Sequence, residues 1–188
     1  MSLVKVSGNA SGTGTLTIAA PNTNSDYTLT LPTNTGTLIT TASTFSGTGP
    51  AFSANTVTAQ SFSSSTFTKV QINVETFDTN SNYDPTTNYR FTPTVAGYYQ
   101  INANVAFAGS AVGYVQVAIY KNGTQFIQGS GIPNNTSIGG MATVSSVISF
   151  NGSSDYVEFY AWQSSGGALA LQTGVGVNTF SGALVRAA

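Results

Sequence analysis

The sequence contains no cysteine and no histidine among its 188 residues. The absence of cysteine excludes a disulfide framework and a thiolate metal site, and it leaves the redox compartment open. The absence of histidine removes the commonest general base and a common zinc ligand. Charged residues are also scarce, at 6% of the chain, and the net charge is only −1. Because such a chain has no long-range field, we expect it to bind neither nucleic acid nor an anionic membrane surface.

Long apolar runs are missing as well. No stretch approaches the roughly 18 consecutive apolar residues of a membrane-spanning helix, so the sequence predicts no insertion into a membrane. Residues 1–5 lack the apolar segment of a secretory signal. If this protein acts outside the cell, we therefore expect cell lysis to release it.

The groups that remain for catalysis show no motif. Glycosidase chemistry needs two carboxylates held about 5–9.5 Å apart. The carboxylates of this chain give pairs such as Glu75 with Asp78 and Asp155 with Glu158, which we predict at strand ends. The lysines stand in no Ser–Lys motif. We expect no enzymatic activity, no catalytic residue and no organic cofactor.

Period-two alternation of apolar and polar residues runs through most of the chain and is typical of half-buried strands. Such runs lie at residues 69–77, 98–107, 115–119, 144–150, 157–161, 169–171 and 180–184. The dipeptides Asn122-Gly123 and Asn151-Gly152 favour type I′ hairpin turns, because both residue types tolerate positive φ. About seven or eight short strands at this spacing predict an all-β, antiparallel sandwich or jelly roll.

The N-terminal part has a different character. Short alternating strands are predicted at residues 15–18, 28–31 and 37–40. Their apolar positions are too few to build a core, so such a ribbon needs a partner surface or chain association. The stretch from Thr41 to Ser65 is rich in Ser, Thr, Ala and Gly and indicates a linker or an extended arm. We therefore divide the chain into a β-rich docking segment at 1–45, a connector at 46–50 and a globular domain at 51–188.

One short segment spaces its oxygen-bearing side chains like a calcium loop. Asp78, Asn80, Asn82 and Asp84 alternate as the ligands of such a loop do. The segment lacks the sixth-position glycine, and Tyr89 stands where an EF-hand needs glutamate. We favour a hydrogen-bonded turn between two strands and keep calcium binding as the alternative.

Five segments of residues 51–188 resemble the C1q domain and, by extension, the TNF-like trimeric jelly roll. They are residues 77–84, the stretch 89–99 with its turn between Pro93 and Gly97, the hairpin 119–123, the strand 155–159 and the closing strand 179–185. Ser154 stands where the family usually has glycine. The resemblance implies an antiparallel jelly roll that assembles as a homotrimer.

Four aromatic residues alternate with the core-directed residues of their strands: Tyr98, Tyr120, Tyr160 and Trp162. On a monomer they would form a costly exposed patch. In the C1q/TNF arrangement such residues face the neighbouring subunits, so we interpret them as contacts of the trimer. Packing as a second core layer and a sugar-binding platform are the alternatives.

The N-terminal segment resembles a segment found at the start of bacteriophage structural proteins, tail fibres among them. The resemblance lies in residues 6–14, 19–23, 30–32 and 35–38. Its recurrence ahead of different C-terminal domains implies an attachment role on the virion.

These resemblances give two hypotheses. In the first, the protein decorates or cements the capsid: residues 1–45 bind the major capsid protein or another virion protein, and the trimer gains from three-point attachment. In the second, it is a short tail or head fibre whose loops at 108–113, 129–141 and 163–168 bind a host-surface glycan or protein. A fibre usually carries a long shaft or coiled coil, which the sequence lacks, so we favour decoration of the particle surface.

Overall fold

A computed structural model of the chain describes residues 11–15, 17, 23–26, 28, 49–109, 111–135 and 139–188. The chain divides into two compact units, Met1–Leu38 and Ile39–Ala188. In the first unit the described residues are exposed, and the backbone N–H of Ser25 donates to Thr23 Oγ1 over 3.1 Å. The docking segment predicted at 1–45 otherwise lies outside the described residues, as do most residues of its three predicted strands.

In the second unit the described residues form strands joined by turns. In chain order the strands are β1 (Ala51–Thr56), β2 (Ser61–Phe62), β3 (Thr68–Lys69), β4 (Val74–Asp78), β5 (Tyr83–Asp84), β6 (Arg90–Phe91), β7 (Gly97–Ala106), β8 (Gly113–Lys121), β9 (Thr124–Asn134), β10 (Met141–Phe150), β11 (Val157–Gln163), β12 (Leu169–Ala170) and β13 (Asn178–Ala187). Over the described ranges there is no helix long and apolar enough to cross a bilayer.

The strands form two facing antiparallel sheets. The five-stranded sheet has the order β10-β7-β13-β1-β4, and the six-stranded sheet has the order β5-β6-β11-β8-β9 with β3 beside β11. A small third sheet pairs β12 with β2. Consecutive long strands, such as β7 and β8 or β10 and β11, lie in opposite sheets. This crossing path is that of a jelly roll, and the all-β fold predicted from the sequence is confirmed.

The core lies between the two sheets and is rich in aromatic rings. On β7 the side chains of Tyr99, Ile101, Ala103 and Val105 are buried, as the alternation predicts. Phe52 of β1 stacks on Phe91 of β6 with 4.3 Å between ring centroids, which ties the two sheets together. Burial of each such ring stabilises the fold by about 1.5–3 kcal/mol.

The hairpin predicted at Asn122-Gly123 is confirmed. These residues have φ of 52° and 78° and join β8 to β9, as a type I′ turn requires. Asn151-Gly152 does not form a hairpin, because only Gly152 has positive φ, at 72°, and the flanking strands belong to different sheets. The side-chain oxygen of Asn151 instead accepts hydrogen bonds from the backbone N–H groups of residues 153, 154 and 155. These bonds lie where the chain passes from one sheet to the other.

Two further details of the sequence analysis are wrong. Residues 69–77 are not one strand: β3 ends in the six-stranded sheet, and the chain crosses to the other sheet before β4 begins. The predicted linker at 41–65 contains β1 and β2, whose Phe52 and Phe62 are core residues. The outward residues of these strands, Ala51, Ser53, Asn55 and Ser61, are small or polar, so the composition of the segment does not indicate strands.

Three buried amide side chains fix the loops at one end of the sandwich. Asn178 donates to the carbonyl of Gln172 over 2.8 Å and accepts the N–H of Ala106 over 3.0 Å. Gln163 donates to the carbonyls of residues 62 and 167, and Asn134 donates to those of residues 108 and 111. No buried side-chain nitrogen or oxygen of the described residues lacks a partner, so this end is a rigid support for the loops it carries.

Candidate self-association surface

The segment spaced like a calcium loop is a network of hydrogen-bonded turns. Asp78 accepts the N–H of Asn80 over 3.1 Å and that of Tyr83 over 2.6 Å. The amide oxygen of Asn82 accepts the N–H of Thr94 over 3.0 Å. Backbone N–H groups of residues 86, 87 and 88 donate to Asp84, and they hold the pKa of its carboxyl well below the usual range. The oxygens that would bind a cation are used within the chain, and this geometry favours the turn interpretation.

The two carboxylates nearest the C-terminus take part in ion pairs. Asp155 lies 3.0 Å from Lys121; its hydrogen bond from Asn122 and its contact with that lysine lower the pKa of the carboxyl. Glu158 is buried and lies 2.5 Å from Lys69. The described residues include no cluster of three or more Asp or Glu side chains that could hold a metal ion.

Three of the four aromatic residues predicted at a trimer contact lie together on the outer face of the six-stranded sheet. Tyr120 stacks on Tyr160 with ring centroids 3.9 Å apart. Phe67, which the sequence analysis did not single out, lies 6.3 Å from Tyr120 and 6.4 Å from Trp162. All four rings are half-buried within the single chain. Burial raises the pKa of Tyr160, and the negative charge of Glu158 raises it further.

Tyr98 is not part of this cluster. It lies on β7, on the outer face of the five-stranded sheet, with Ser149 and Arg186 as its cross-strand neighbours. The four predicted contact residues therefore lie on two faces of the chain, because two sheets with the core between them separate Tyr98 from the other three. Their contact with neighbouring subunits stays a prediction. For the three rings on the six-stranded sheet, the geometry favours the alternative of a second packing layer over a bare patch.

The outer face of the five-stranded sheet carries the largest group of unpartnered apolar side chains in the described part of the chain. They range from Val74 at 44% exposure to Val185 at 60% and also include Phe77, Tyr98, Met141 and Val147. Only Tyr114 and Phe126 are comparable on the strands of the six-stranded sheet. Exposed apolar groups gathered on one face of this kind indicate an interaction surface.

The centre of this face is polar but uncharged. Gln100 donates to Ser145 Oγ over 2.8 Å, and that hydroxyl donates to Asn102 Oδ1 over 2.8 Å. Charged residues occur only at the margins, on β4 and near the end of β13. The Gln100 amide nitrogen and the Asn102 amide oxygen already have partners within the chain, so covering these two atoms would leave neither unsatisfied.

Two concavities lie on the same face. One, of 330 Å³, has Phe77 on one side, Gln100 and Asn102 on the other, and small residues of β1 and β13 in its floor. The other, of 570 Å³, is lined by Tyr98, Val185 and residues 186–188. A sheet face with small residues on its central strands and larger apolar residues at its margins can receive protruding side chains of a partner.

The sequence analysis found Tyr98 but missed the rest of this face. A signal existed: Val147 and Val185 are apolar residues at positions where the alternation of their strands predicts polar ones. An apolar residue out of phase with the core pattern points away from the core and stays exposed in the single chain.

The loops named as candidate ligand contacts are partly brought together. Residues 129–134 belong to β9, so the predicted loop at 129–141 is shorter than expected. At one end of the sandwich the N–H of Tyr114 donates to Ser164 Oγ over 3.0 Å, which joins the loop at 108–113 to the loop at 163–168. Residues 110 and 136–138 lie outside the described ranges.

Comparison with known proteins shows the fold alone. No protein-family model matches the sequence, and no curated protein matches it either. The globular domain of zebrafish complement 1qA protein is 18% identical, with a TM-score of 0.52, covering 74% of this chain and 99% of that one. Murine APRIL is 10% identical, with a TM-score of 0.54 and coverage of 73% and 99%. Eiger TNF from S. frugiperda is 8% identical, with a TM-score of 0.52 and coverage of 74% and 93%. The chain therefore has the antiparallel jelly-roll fold of the C1q and TNF domains.

Proposed function

We propose that this chain is a non-enzymatic structural protein of a bacteriophage virion that works as a homotrimer and decorates or cements the capsid. The observation that carries the proposal is the outer face of the five-stranded sheet, whose centre is uncharged and whose margins carry exposed apolar side chains. A monomer would leave Phe77, Tyr98, Val147 and Val185 in water, and association of copies through this face would cover them. The resemblance of residues 51–188 to the C1q domain, carried by segments such as 77–84 and 89–99, supports three copies in each assembly.

Attachment to the particle is assigned to the N-terminal segment. Residues 1–45 resemble the leading segment of phage structural proteins, and their partner would be the major capsid protein or another virion protein. Three copies of such a segment on one trimer bind with an avidity that one copy does not reach. The low charge of the chain argues against nucleic acid or an anionic membrane as a partner.

A short tail or head fibre is the second candidate. It is favoured by the junction of the loops at 108–113 and 163–168, which share one end of the sandwich and rest on the buried amides of Asn134 and Gln163. A rigid end that carries Gly- and Ser-rich loops suits contact with a host-surface glycan or protein.

Immunogold labelling of purified particles tests the proposal. An antibody against residues 51–188 should label the head in a regular array, and particles from a phage that lacks the gene provide the control. Label confined to the tail or to a single vertex would replace decoration with the fibre function. Absence of label from intact particles, with the protein present in the lysate, would contradict a virion role altogether.

A further inference from the structure

We propose that the outer face of the six-stranded sheet binds an uncharged glycan, with Trp162 as the ring on which a sugar stacks and the side-chain amide of Gln116 as the group that binds its hydroxyls. The inference goes beyond the structural role proposed above and does not depend on it. Association through the five-stranded sheet does not use this face, because the core lies between the two sheets.

Aromatic side chains form a column along this face. Tyr160 and Trp162 are alternate residues of β11 and lie about 7 Å apart along the strand. Tyr120 stacks on Tyr160, and Phe67 lies 6.4 Å from Trp162. Each ring is thus packed on one side and keeps part of its surface in solvent. A ring held in this way presents a fixed apolar surface against which the C–H groups of a sugar can pack.

A column of glutamine amides runs beside the aromatic column. Gln116 is the cross-strand neighbour of Trp162, and Gln128 and Gln125 of β9 lie in the next two rows of the sheet. Within the part of the chain that the structure describes, the side-chain amides of these three residues form no hydrogen bond with the protein. Each amide offers two donors and an acceptor. This suits sugar hydroxyls, because a hydroxyl both donates and accepts.

Gly131 determines where the Gln116 amide lies. It is the cross-strand neighbour of Gln116, and a Cβ atom added to it would lie 2.9 Å from Gln116 Nε2 and 3.1 Å from Gln116 Cγ. The side chain of Gln116 therefore lies across the glycine. In the next row Ala118 is fully buried between Tyr160 and Gln128. No large side chain at either position separates the rings from the amides.

The charges of this face favour an uncharged ligand. The row that contains Trp162, Gln116 and Gly131 has no charged residue. Lys69, one row away, is paired with Glu158 over 2.5 Å, so its ammonium group is not free to bind an anionic sugar. The surroundings of Trp162 therefore suit a neutral hexose chain better than one that carries carboxylate or sulfate groups.

The fluorescence of Trp162 tests the inference on the full-length chain, because Trp162 is its only tryptophan. The probes are soluble neutral oligosaccharides of glucose, mannose, galactose and N-acetylglucosamine, and fragments of hyaluronate serve as the anionic comparison. We expect at least one neutral oligosaccharide to change the emission of Trp162 saturably and to protect the ring from quenching by acrylamide. Hyaluronate should do neither.

Substitutions then assign the binding to this face. Gly131→Ala should displace the Gln116 amide, and Gln116→Leu should remove its hydrogen bonds. Each should weaken binding roughly fivefold to tenfold without a change in thermal melting. Gln172→Leu is the matched control, because it makes the same change from amide to apolar group on an exposed loop beside β7. This control should bind as the native chain does.

Three results would overturn the inference. The first is that no neutral oligosaccharide changes the emission or the quenching of Trp162, even at millimolar concentration. The second is that only the hyaluronate fragments bind. The third is that Gly131→Ala and Gln116→Leu bind as tightly as Gln172→Leu, which would place the glycan elsewhere on the chain. None of these results affects the proposed virion role, which the immunogold labelling tests separately.

Discussion

Replacement of Asn102 by aspartate tests the role of the five-stranded face with a minimal change of shape. Asn102 lies at the centre of the face, and its side-chain oxygen accepts the Gln100 amide over 3.1 Å and the Ser145 hydroxyl over 2.8 Å. A carboxylate can accept both hydrogen bonds, so the fold of the single chain should persist. Closing the interface would remove the new charge from water. If burial raises the pKa of the new carboxyl by about two units, association loses about 3 kcal/mol of free energy for each copy. This corresponds to roughly a 100-fold weaker association at each contact.

The assay is sedimentation of Asn102→Asp at micromolar concentration and neutral pH. We expect it to run as a monomer, and we expect association to return in part as the pH falls through the carboxyl pKa. Gln125→Glu is the matched control, because it makes the same change from amide to carboxylate on the exposed β8–β9 hairpin. An Asn102→Asp variant that associates as tightly as the native chain would refute the assignment of the interface to this face.

Three further predictions follow from the geometry. The double variant Tyr160→Ala/Trp162→Ala should lower the free energy of unfolding by about 2–4 kcal/mol and leave the mass measured by light scattering unchanged. A double variant that is monomeric but melts like the native chain would mean that the interface lies on the six-stranded sheet. Asn178→Ala leaves the Ala106 N–H without its acceptor and should cost about 3 kcal/mol in urea unfolding; a loss below about 0.5 kcal/mol would mean that water replaces the amide. The pKa of Asp84 is lower in the folded state than in the unfolded state. The ionised carboxyl therefore adds to the free energy of unfolding above about pH 4, and this stabilisation is lost as the pH falls further. Asp84→Asn should therefore flatten the fall of stability between pH 4 and pH 2, and an unchanged acid profile would count against this account of the loop.

The sequence was sufficient to predict those elements whose alternation is strong. β7, β8, β10, β11 and β13 follow the pattern of one buried and one exposed face. β9 was missed because it is an edge strand with two register shifts that contains Gly129, Gly131 and Pro133. Glycine and proline are tolerated in an edge strand, because the backbone on one side of it forms no hydrogen bonds to another strand. Neither the alternation nor the β-propensity of its residues therefore indicates β9.

The corners of the sandwich were the hardest part to predict. Val70 and Ile72 are both buried and alternate like a strand, yet they lie where the chain passes from one sheet to the other. Local periodicity reports only which side chains are buried, whereas the choice of sheet depends on partners distant in the sequence. The same limit explains Asn151-Gly152, whose composition suits a hairpin although the strands beside it never pair.

The candidate site could be predicted only in part for a similar reason. Outward-facing aromatics were recognisable, but the sequence does not say which sheet each strand joins. Tyr98 and Tyr160 therefore looked alike until the topology placed them on opposite sides of the core. Val147 carried a usable signal, since a large apolar residue in the outward phase of a strand has no role in the core of a single chain.

The most direct test of the account is the mass of the full-length chain in solution, measured by light scattering over a range of concentrations. Association through the five-stranded face as a ring of three predicts three times the 19.3 kDa of the chain, stable to dilution into the micromolar range. A mass of 19.3 kDa at every concentration would contradict the account, because the exposed apolar residues of that face would then need another explanation.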